Sequence, residues 1–391
     1  MANTITAIMP KILAAALLAL REQAVMPRLV NFNWGTETAK KGSTIDVPLP
    51  AVQAVSDVTP GPTPPASVDH APTTVQLVLD KWKKSPFYLT DKEMGEIDPN
   101  AAYYPMQVSE AVRGLANQVN GDMFALYKDV YGYTGTAGTT PFAIGSGNFP
   151  NSPTDAVNLR KVLNRQLAPP DNRRAVLSLD AEANALALPA FANFEQTGDP
   201  AVKIEGRLGR KFGLDWYYDQ AVPTHTAGTI TTGLIAKAAT AVAAGVKSFL
   251  ATTAASTGAC ALLVGDVIAI AGHTTTYVLT AVATQASAAS DVTLAVEPAL
   301  ERALVGSEAI TVKASHVVNL GFHRDAFAFA TRPVGDVVFK GGNEIMQMTD
   351  PQTGINLTME VSRQYKQTAW ELSILYGVKT IRAALASRLA G

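Results

Sequence analysis

Histidine and cysteine are the residues of this chain that could most readily ligate a metal or act as base and nucleophile. The five histidines and the single cysteine are His70, His225, His273, His316, His323 and Cys260. A zinc site needs closely spaced ligands, such as two histidines one helical turn apart, and the sequence has no such pair. Cys260 lies in an apolar run and is expected to be a buried structural thiol. The sequence therefore predicts no metal site and no internal disulfide.

Two glycine-rich segments could form phosphate-binding loops, but neither has the required order of residues. Residues 245–248 read Gly-Val-Lys-Ser, whereas a Walker loop needs Gly-Lys followed directly by Ser or Thr. The glycines at 206, 209 and 213 miss the dinucleotide-binding spacing, and no Gly-x-Ser-x-Gly segment is present to hold a nucleophilic serine. We therefore expect a protein that is not an enzyme and that binds no cofactor.

The charge balance argues against a dedicated nucleic-acid-binding protein. The 391 residues include 32 basic and 33 acidic side chains, a formal net charge of −1, so any contact with DNA should be weak and non-specific. One basic cluster has no interleaved aromatic residues, which favours pairing at the surface or between subunits over nucleic-acid binding. Its members are Arg160, Lys161, Arg165, Arg173 and Arg174.

The elements that would position these residues begin with an N-terminal arm, residues 1–36. Apolar residues recur at helical spacing from Ile5 to Leu13 and predict an amphipathic helix, packed either on its own protein or on a partner. Its uncharged apolar run is too short to span a bilayer, and we expect no signal peptide.

Residues 37–90 are predicted to form an extended β arm with a return strand. Strand-like alternation at 42–50 and 75–79 flanks a segment, 48–72, that contains seven of the 23 prolines. Proline lacks an N–H donor, so this segment should run extended at the tip of the arm. A disordered linker is the alternative interpretation of the proline-rich segment.

A long helix is the strongest secondary-structure prediction, within a peripheral region of residues 91–150. Between 108 and 130 the apolar residues follow steps of three and four, and Pro105 precedes them at a plausible start. The stripe includes Val112, Leu115, Val119 and Met123. We expect a structural spine whose stripe is buried.

Residues 151–222 and 316–391 are predicted to form a central domain with a closing sheet. A helix should begin at Ser152, the N-cap, followed by Pro153, and strands are expected at 175–179 and 214–218. Alternation at 355–361 predicts a half-buried strand, and 370–376 predicts another. The last 70 or so residues should then form one sheet that closes on the helices.

The interval 223–315 differs in composition from the rest of the chain. Residues 224–315 are rich in Ala and Thr, their only aromatic residues are Phe249 and Tyr277, and their only proline is Pro298. Strand signals at 264–271, 275–282, 292–296 and 309–312 are separated by turn residues. We predict an inserted all-β, barrel-like domain within an α+β host.

This order of elements, together with three sequence segments, resembles a known family. The segments are 317–333, which begins Val-Val-Asn-Leu-Gly-Phe-His-Arg-Asp, 354–360, which reads Gly-Ile-Asn-Leu-Thr-Met-Glu, and 370–377. The chain resembles major capsid proteins of tailed bacteriophages with the HK97 fold, and among them coat proteins of the P22 type, which carry a β-barrel insertion domain. The resemblance covers nearly the whole chain.

The resemblance implies a shell subunit that forms hexamers and pentamers around double-stranded DNA, with scaffolding and portal proteins as partners. The protein would be located in the virion and assembled in the cytoplasm of the host bacterium. No long helical segment precedes the arm in this sequence, so a separate scaffold is expected. A different phage structural protein or a surface-layer subunit that binds partners through the β module is the alternative.

Charged residues next to the β arm are the predicted inter-subunit contacts. We expect the basic side chains at the return strand to pair with an acidic segment of a neighbouring subunit. The residues are Lys81, Lys83, Lys84, Asp91, Glu93 and Glu96.

Overall fold

The computed structural model describes residues 13, 16, 25–32, 43–49, 55, 57–58, 60, 72–92, 103–143, 153–193, 206–230, 233–237, 242–253, 260–285, 290–333, 343–349 and 355–391. The chain divides into two compact units. The first comprises Met1–Ala19, Phe32–Leu115 and Ala328–Ile381, and the second Leu20–Asn31, Ala116–Phe327 and Arg382–Gly391.

The helices in the described part of the chain are α1 Val25–Leu29, α2 Tyr103–Phe124, α3 Thr154–Arg165, α4 Leu179–Ala187 and α5 Pro189–Ala192. Short 3₁₀ segments cover Ala125–Asp129, Arg324–Ala326 and Ala383–Leu385. None of these helices combines the length and the apolar character that crossing a bilayer would need.

The described strands, in chain order, are β1 Thr44–Leu49, β2 Thr73–Val78, β3 Lys81–Thr90, β4 Gly132–Gly135, β5 Arg173–Leu177, β6 Gly209–Lys211, β7 Leu214–Tyr218, β8 Thr224–His225, β9 Leu234–Ala236, β10 Ser248–Thr253, β11 Cys260–Leu262, β12 Val267–Ile270, β13 Thr276–Leu279, β14 Ala283–Gln285, β15 Asp291–Glu297, β16 Ala309–Val312, β17 His316–His323, β18 Phe327–Thr331, β19 Glu344–Thr349, β20 Asn356–Gln364, β21 Gln367–Thr380 and β22 Ala386–Ala390.

The predicted spine is helix α2, with bounds that differ from the prediction. Its predicted stripe is buried, since Val112, Leu115, Val119 and Met123 are all nearly inaccessible to solvent. The helix begins five residues earlier than predicted because Pro105 lies inside the first turn, where a missing N–H breaks no helical bond. Its α-helical part ends at Phe124, and the predicted continuation to 130 is a 3₁₀ segment.

The first unit contains a hairpin and a five-stranded sheet. Strands β1 and β2 pair antiparallel, from Thr44 opposite Val78 to Leu49 opposite Thr73. The sheet has the order β18, β21, β20, β19, with β3 also paired to β21. Leu77 and Leu79 pack against Ala328, Ala330 and Leu375 of the sheet, which anchors the base of the hairpin. The strands predicted to flank the proline-rich tip are confirmed, whereas most of the tip lies outside the described residues.

Strand β20 corrects the prediction of a half-buried strand at 355–361. Its polar residues Asn356 and Thr358 are buried together with the apolar ones. The Asn356 amide donates to Thr349 Oγ1 at 2.7 Å, and its backbone N–H donates to Thr331 Oγ1 at 3.4 Å. Because Thr349 of β19 and Thr331 of β18 supply these polar partners, Asn356 can be buried without an unpaired amide.

The second unit contains a seven-stranded mixed sheet and a closed barrel. The sheet has the order β4, β22, β17, β5, β7, β6, with β8 paired to β17. Helix α3 covers one face so closely that a methyl group added at Gly321 of β17 would lie 2.7 Å from Leu159 Cδ2. The prediction that the last 70 or so residues form one sheet is therefore wrong. Strand β22 belongs to the seven-stranded sheet, whereas strands β18 to β21 belong to the five-stranded sheet.

The barrel is closed by the strands β10, β15, β13, β12, β16 and β9, in that order. All four strands predicted in the interval 264–312 are present. Strand β16 has the predicted bounds, β15 extends one residue further at each end, and β12 and β13 are shorter than predicted. Strands β9, β10, β11 and β14 were not predicted. The barrel interior is aliphatic apart from Phe249 and Tyr277. The Tyr277 hydroxyl contacts His273 Nδ1 at 2.6 Å and accepts from the Glu301 backbone N–H at 3.0 Å, which satisfies this buried polar atom.

Two further local predictions needed correction. The strand predicted at 175–179 is β5, which ends at Leu177, because Ser178 caps helix α4 by accepting from the Ala181 N–H at 3.4 Å. Helix α3 begins at Thr154, one residue after Pro153, with Asp155 in its first turn. Asp155 accepts from the Phe142 N–H at 2.8 Å. The predicted cap Ser152 and most of the N-terminal arm lie outside the described residues.

Candidate functional site

The predicted contact residues of the first unit lie on β3 and just after it. Lys83 and Lys84 are exposed and Lys81 is half-buried. Lys84 forms an ion pair with Glu371 of the adjacent strand β21, with Nζ and Oε2 2.9 Å apart. The ordinary alternation of a strand places Lys81 and Lys83 on one face and Lys84 on the other.

Asp91 is held by Arg363 within the same chain. The guanidinium donates to both carboxylate oxygens, with Nη1–Oδ1 at 2.5 Å and Nη2–Oδ2 at 2.6 Å. This bidentate bond lowers the pKa of Asp91 below its ordinary value, although partial desolvation acts in the opposite direction. The predicted partners Glu93 and Glu96 lie outside the described residues. The pairing of these charges between subunits stays a prediction.

Two exposed aromatic residues share a face of β3 with Lys84. Trp82 is 51% exposed and Tyr88 is 65% exposed, and positions 82, 84 and 88 lie on the same side of the strand. On the other face, Phe87 stacks in parallel on Trp370 of the adjacent strand with ring centroids 6.1 Å apart. Exposed tryptophan and tyrosine are typical of protein interfaces, so this face of the sheet is a candidate contact surface.

A second candidate site is a buried polar junction between the barrel and the seven-stranded sheet, both in the second unit. Its central residue is Arg388 of β22, which is fully buried. The guanidinium donates to the carbonyl oxygens of Val130 at 2.9 Å and Gly265 at 2.8 Å, and more weakly to Lys128 at 3.5 Å. It lies over the Tyr127 ring, 5.0 Å from the centroid. Burial lowers the pKa of Arg388 to about 10.

Asp266 is the buried carboxylate of the same junction. Its oxygens accept from the backbone N–H groups of Leu263 at 2.7 Å and Gly228 at 3.1 Å. His225 Nε2 is 2.8 Å from Asp266 Oδ1, and His225 Nδ1 is 3.1 Å from the Tyr127 hydroxyl. Because a carboxylate only accepts, Nε2 carries a proton that it donates to Asp266. The carboxylate therefore binds both the barrel and the sheet.

Gly228 shows how closely the segments of the junction approach one another. A methyl group added there would lie 2.3 Å from the Ala261 carbonyl oxygen and 2.9 Å from Asp266 Oδ2. Only glycine leaves room for the carboxylate to reach the backbone N–H at this position.

His316, the first residue of β17, lies directly opposite His225 in the pairing with β8. The two ring centroids are 5.4 Å apart. His316 Nδ1 donates to the Ala314 carbonyl oxygen at 2.8 Å, whereas its buried Nε2 has no hydrogen-bond partner among the described residues. Burial is the main reason that the pKa of His316 falls to about 4. The hydrogen bond to Ala314 acts to raise this pKa, whereas the charges of Arg388 and His225 act to lower it further.

The junction can hold two parts of the chain together, and its geometry is not that of a metal centre. Within the described ranges, no three His, Cys, Asp or Glu residues are placed to hold a metal ion. Sequence reasoning missed this site because His225, Asp266 and Arg388 lie far apart along the chain. The only local signal is a pair of histidines, His225 and His316, close to the predicted limits of the β module.

The basic cluster predicted at 160–174 does not act as one surface. Arg173 is buried and donates to the carbonyl oxygens of Pro169 and Ala168, both at 2.6 Å. Arg174 donates to the backbone carbonyl of Leu29 at 2.5 Å. Arg160 and Lys161 are exposed on α3. Arg165 donates to the Thr274 carbonyl oxygen at 2.9 Å. Three of the five cations are therefore engaged by backbone carbonyls of the same chain, which leaves fewer free cations for binding phosphate.

Comparison with known proteins identifies the fold. No protein-family model and no curated protein matches the sequence significantly. A chain from the capsid structure of the cyanophage P-SCSP1u matches with a TM-score of 0.50 and 11% identity, covering 94% of this chain and 88% of that chain. A chain from Mycobacterium phage Che8 matches with a TM-score of 0.48 and 12% identity, covering 94% of this chain and 91% of that one.

The match to the cyanophage chain shows that the two chains share a fold along most of their length. The fold is therefore α+β and of a type that a viral capsid chain adopts. The resemblance to capsid proteins, predicted from the segments after residue 316, is confirmed at the level of the fold.

Proposed function

We propose that this protein is the major capsid protein of a tailed bacteriophage and assembles with copies of itself into an icosahedral shell around double-stranded DNA. The observation that carries the proposal is the fold shared with a cyanophage capsid chain over 94% of this sequence. The exposed face of β3 supports the proposal, because exposed aromatic side chains such as Trp82 and Tyr88 are typical of a surface that binds another subunit.

In this proposal the fold is of the HK97 type, and each element has a role in the shell. Residues 1–36 are the N-terminal arm and 37–90 the extended arm with its return strand. Residues 91–150 carry the spine helix. The central domain comprises 151–222 and 316–391, and 223–315 is an inserted domain built around the barrel.

The proposed partners follow from this role. The subunit would form hexamers and pentamers and assemble in the host cytoplasm with scaffolding and portal proteins. The inner surface would touch DNA weakly, which agrees with the near-neutral net charge. On assembly, Lys84 and Asp91 are proposed to exchange their partners within the chain for charged groups of a neighbouring subunit. Lys81, Lys83, Glu93 and Glu96 are proposed to pair with that neighbour as well.

The test is assembly of the purified chain, alone and co-expressed with a scaffolding protein, followed by sedimentation velocity and negative-stain microscopy. We expect closed shells of uniform size in at least one condition. Flat two-dimensional arrays would favour a surface-layer protein, and monomers under every condition would contradict the proposal.

A matched pair of variants tests the contact face. Trp82→Asp combined with Tyr88→Asp should leave the subunit folded by circular dichroism but abolish shells, because two charges would enter a desolvated interface. Val305→Asp places a charge on an exposed apolar residue of a barrel loop and should leave assembly intact. Equal assembly by both variants would show that the β3 face is not a contact surface.

Deletion of residues 56–68 tests the extended arm in the same assay. The shortened subunit should fold and fail to form stable shells, because the proposed arm reaches a neighbour. Shells of normal stability would make the arm a passive loop. The inserted domain is tested separately by expressing residues 222–316 alone, which should give a β-type spectrum and dispersed amide resonances.

A further inference from the structure

The two crossings between the seven-stranded sheet and the barrel lie side by side and each contains a buried histidine. The chain leaves the sheet at β8, which ends with His225, and returns to it at β17, which begins with His316. These two residues pair directly, as do Thr224 and Val317. Separation of the barrel from the sheet at these crossings would have to break this pairing.

The charges and titratable groups around His316 come from every element packed against it. Arg388 is contributed by β22, Tyr133 by β4, His225 by β8 and Asp266 by the turn before β12. The Tyr133 ring packs edge-on against His316 with centroids 5.3 Å apart, and the Lys313 ammonium lies 5.4 Å from the centroid of the Tyr133 ring. Tyr127 acts on the group through its contact with His225.

A proton on His316 would be poorly accommodated in this environment. The proton would go to Nε2, because Nδ1 already donates to Ala314, and Nε2 has no acceptor among the described residues. It would also introduce a second cation beside buried Arg388. The one nearby carboxylate, Asp266, already accepts from His225 and from two backbone N–H groups. A buried charge without a partner is strongly unfavourable.

We propose that the His316–His225 pair is an acid-sensitive latch, closed while His316 is neutral and released when His316 Nε2 takes up a proton, so that the barrel separates locally from the sheet. The step is a proton uptake and needs no other reactant. The inference concerns the single chain and does not depend on shell formation.

The direction of the pH effect follows from linkage. In the closed form the pKa of His316 is about 4, whereas a solvated histidine in the open form has a pKa of about 6.5. The open form binds more protons between these values, so the closed form is fully favoured above about pH 6.5 and loses stability as the pH falls toward 4. From about pH 7 to pH 5, this one group should raise the opening constant about twentyfold.

The experiment is hydrogen exchange of the purified full chain at several pH values in this range, corrected for the intrinsic exchange rate. Peptides covering 223–230 and 314–318 report on the latch, and a peptide covering 291–297 reports on the barrel interior. We expect the latch peptides to lose protection about twentyfold more than the barrel peptide between pH 7 and pH 5. Equal loss in all three would indicate global unfolding and overturn the proposal.

Two variants separate the latch from a purely structural role. In His316→Asn the new amide can still donate to Ala314 but cannot be charged, so the additional pH dependence should disappear. His323→Asn alters a buried histidine at the other end of the same strand and should keep the pH dependence of the natural chain. A His316→Asn chain that retains the natural pH dependence contradicts the proposal.

A measurement on the unaltered chain covers the case in which His316→Asn does not fold. With ¹³C-labelled histidine rings, nuclear magnetic resonance follows the five imidazoles during an acid titration. The His316 ring should stay neutral well below pH 6 until the latch peptides open. Titration of the His316 ring near pH 6.5, with the latch peptides still protected, would overturn the proposal.

Discussion

Arg388 donates through Nη1 to the backbone carbonyl of Gly265 at 2.8 Å, which joins residues 123 positions apart in the sequence. Arg388 belongs to β22 of the seven-stranded sheet, and Gly265 to the turn that leads into β12 of the barrel. A single fully buried cation thus links the last strand of the chain to the barrel, and it does so through backbone atoms that no side-chain substitution at Gly265 would remove.

Arg388→Met should destabilise the chain by about 3–5 kcal/mol, because the carbonyls of Val130 and Gly265 lose their donor and buried Asp266 loses a nearby cation. Urea unfolding at neutral pH measures the change. Arg382→Met removes an exposed guanidinium six residues earlier and should shift the free energy of unfolding by less than about 0.5 kcal/mol. A loss below about 1 kcal/mol in Arg388→Met would show that the junction does not depend on the cation.

Asn120→Ala should cost about 2–4 kcal/mol, because it leaves two buried polar groups without their partner. The Asn120 carboxamide accepts from the Met26 N–H at 3.0 Å and donates to Asp219 Oδ2 at 2.6 Å. Asn117→Ala changes the same residue type on the exposed side of α2 and should be neutral or slightly stabilising, since alanine favours helix. Thermal or urea unfolding of both variants checks the difference, and equal effects would contradict it.

Leu115→Ala should destabilise the chain by about 2–5 kcal/mol, because it opens a cavity in the buried stripe of the spine helix. Val157→Ala, a truncation at a position of α3 that is 49% exposed, is the control and should cost much less. Leu115→Asp should prevent soluble expression. Normal yield and melting temperature of the Asp variant would mean that this stripe is not packed.

Substitutions of glycine by alanine should act in opposite directions at different sites. Gly114 and Gly121 are in α2 with no atom within 4 Å of an added methyl group, so each change should stabilise by about 0.5–1 kcal/mol. Gly321→Ala should destabilise by about 1–3 kcal/mol, because the methyl group meets buried Leu159. Melting temperatures distinguish the two outcomes, and a stabilising Gly321→Ala would show that helix α3 moves away from the sheet easily.

Elements with a strong internal period were predictable from the sequence. The stripe of α2 was correctly predicted because a period of 3.6 residues identifies the buried side of a helix without knowledge of what covers it. The strands of the β arm and of the barrel were found in the same way, from alternation and turn residues. The error at the start of α2 arose from Pro105, because a proline is tolerated anywhere in the first helical turn.

Helix α4 was missed although a local signal was present. Ser178 followed by Asp180 and Glu182 is a helix N-terminus, but the apolar residues before Ser178 extended the strand prediction across it. Strand β20 was assigned a solvated face because its polar residues alternate with apolar ones. Nothing in the strand itself indicates that Thr349 and Thr331 would supply hydrogen bonds to Asn356.

The sequence by itself determined the helices and strands with strong periods, the order of the elements and the resemblance to capsid proteins. Those features are encoded by residues close together in the chain. Only the tertiary structure decided that the barrel closes, that β22 joins β17 rather than the other sheet, and that His225, Asp266, His316 and Arg388 meet in one buried junction. Such contacts depend on loop closure over 40 residues or more, and their free energy comes from burial and from hydrogen bonds that exist only once the sheet and the barrel have formed.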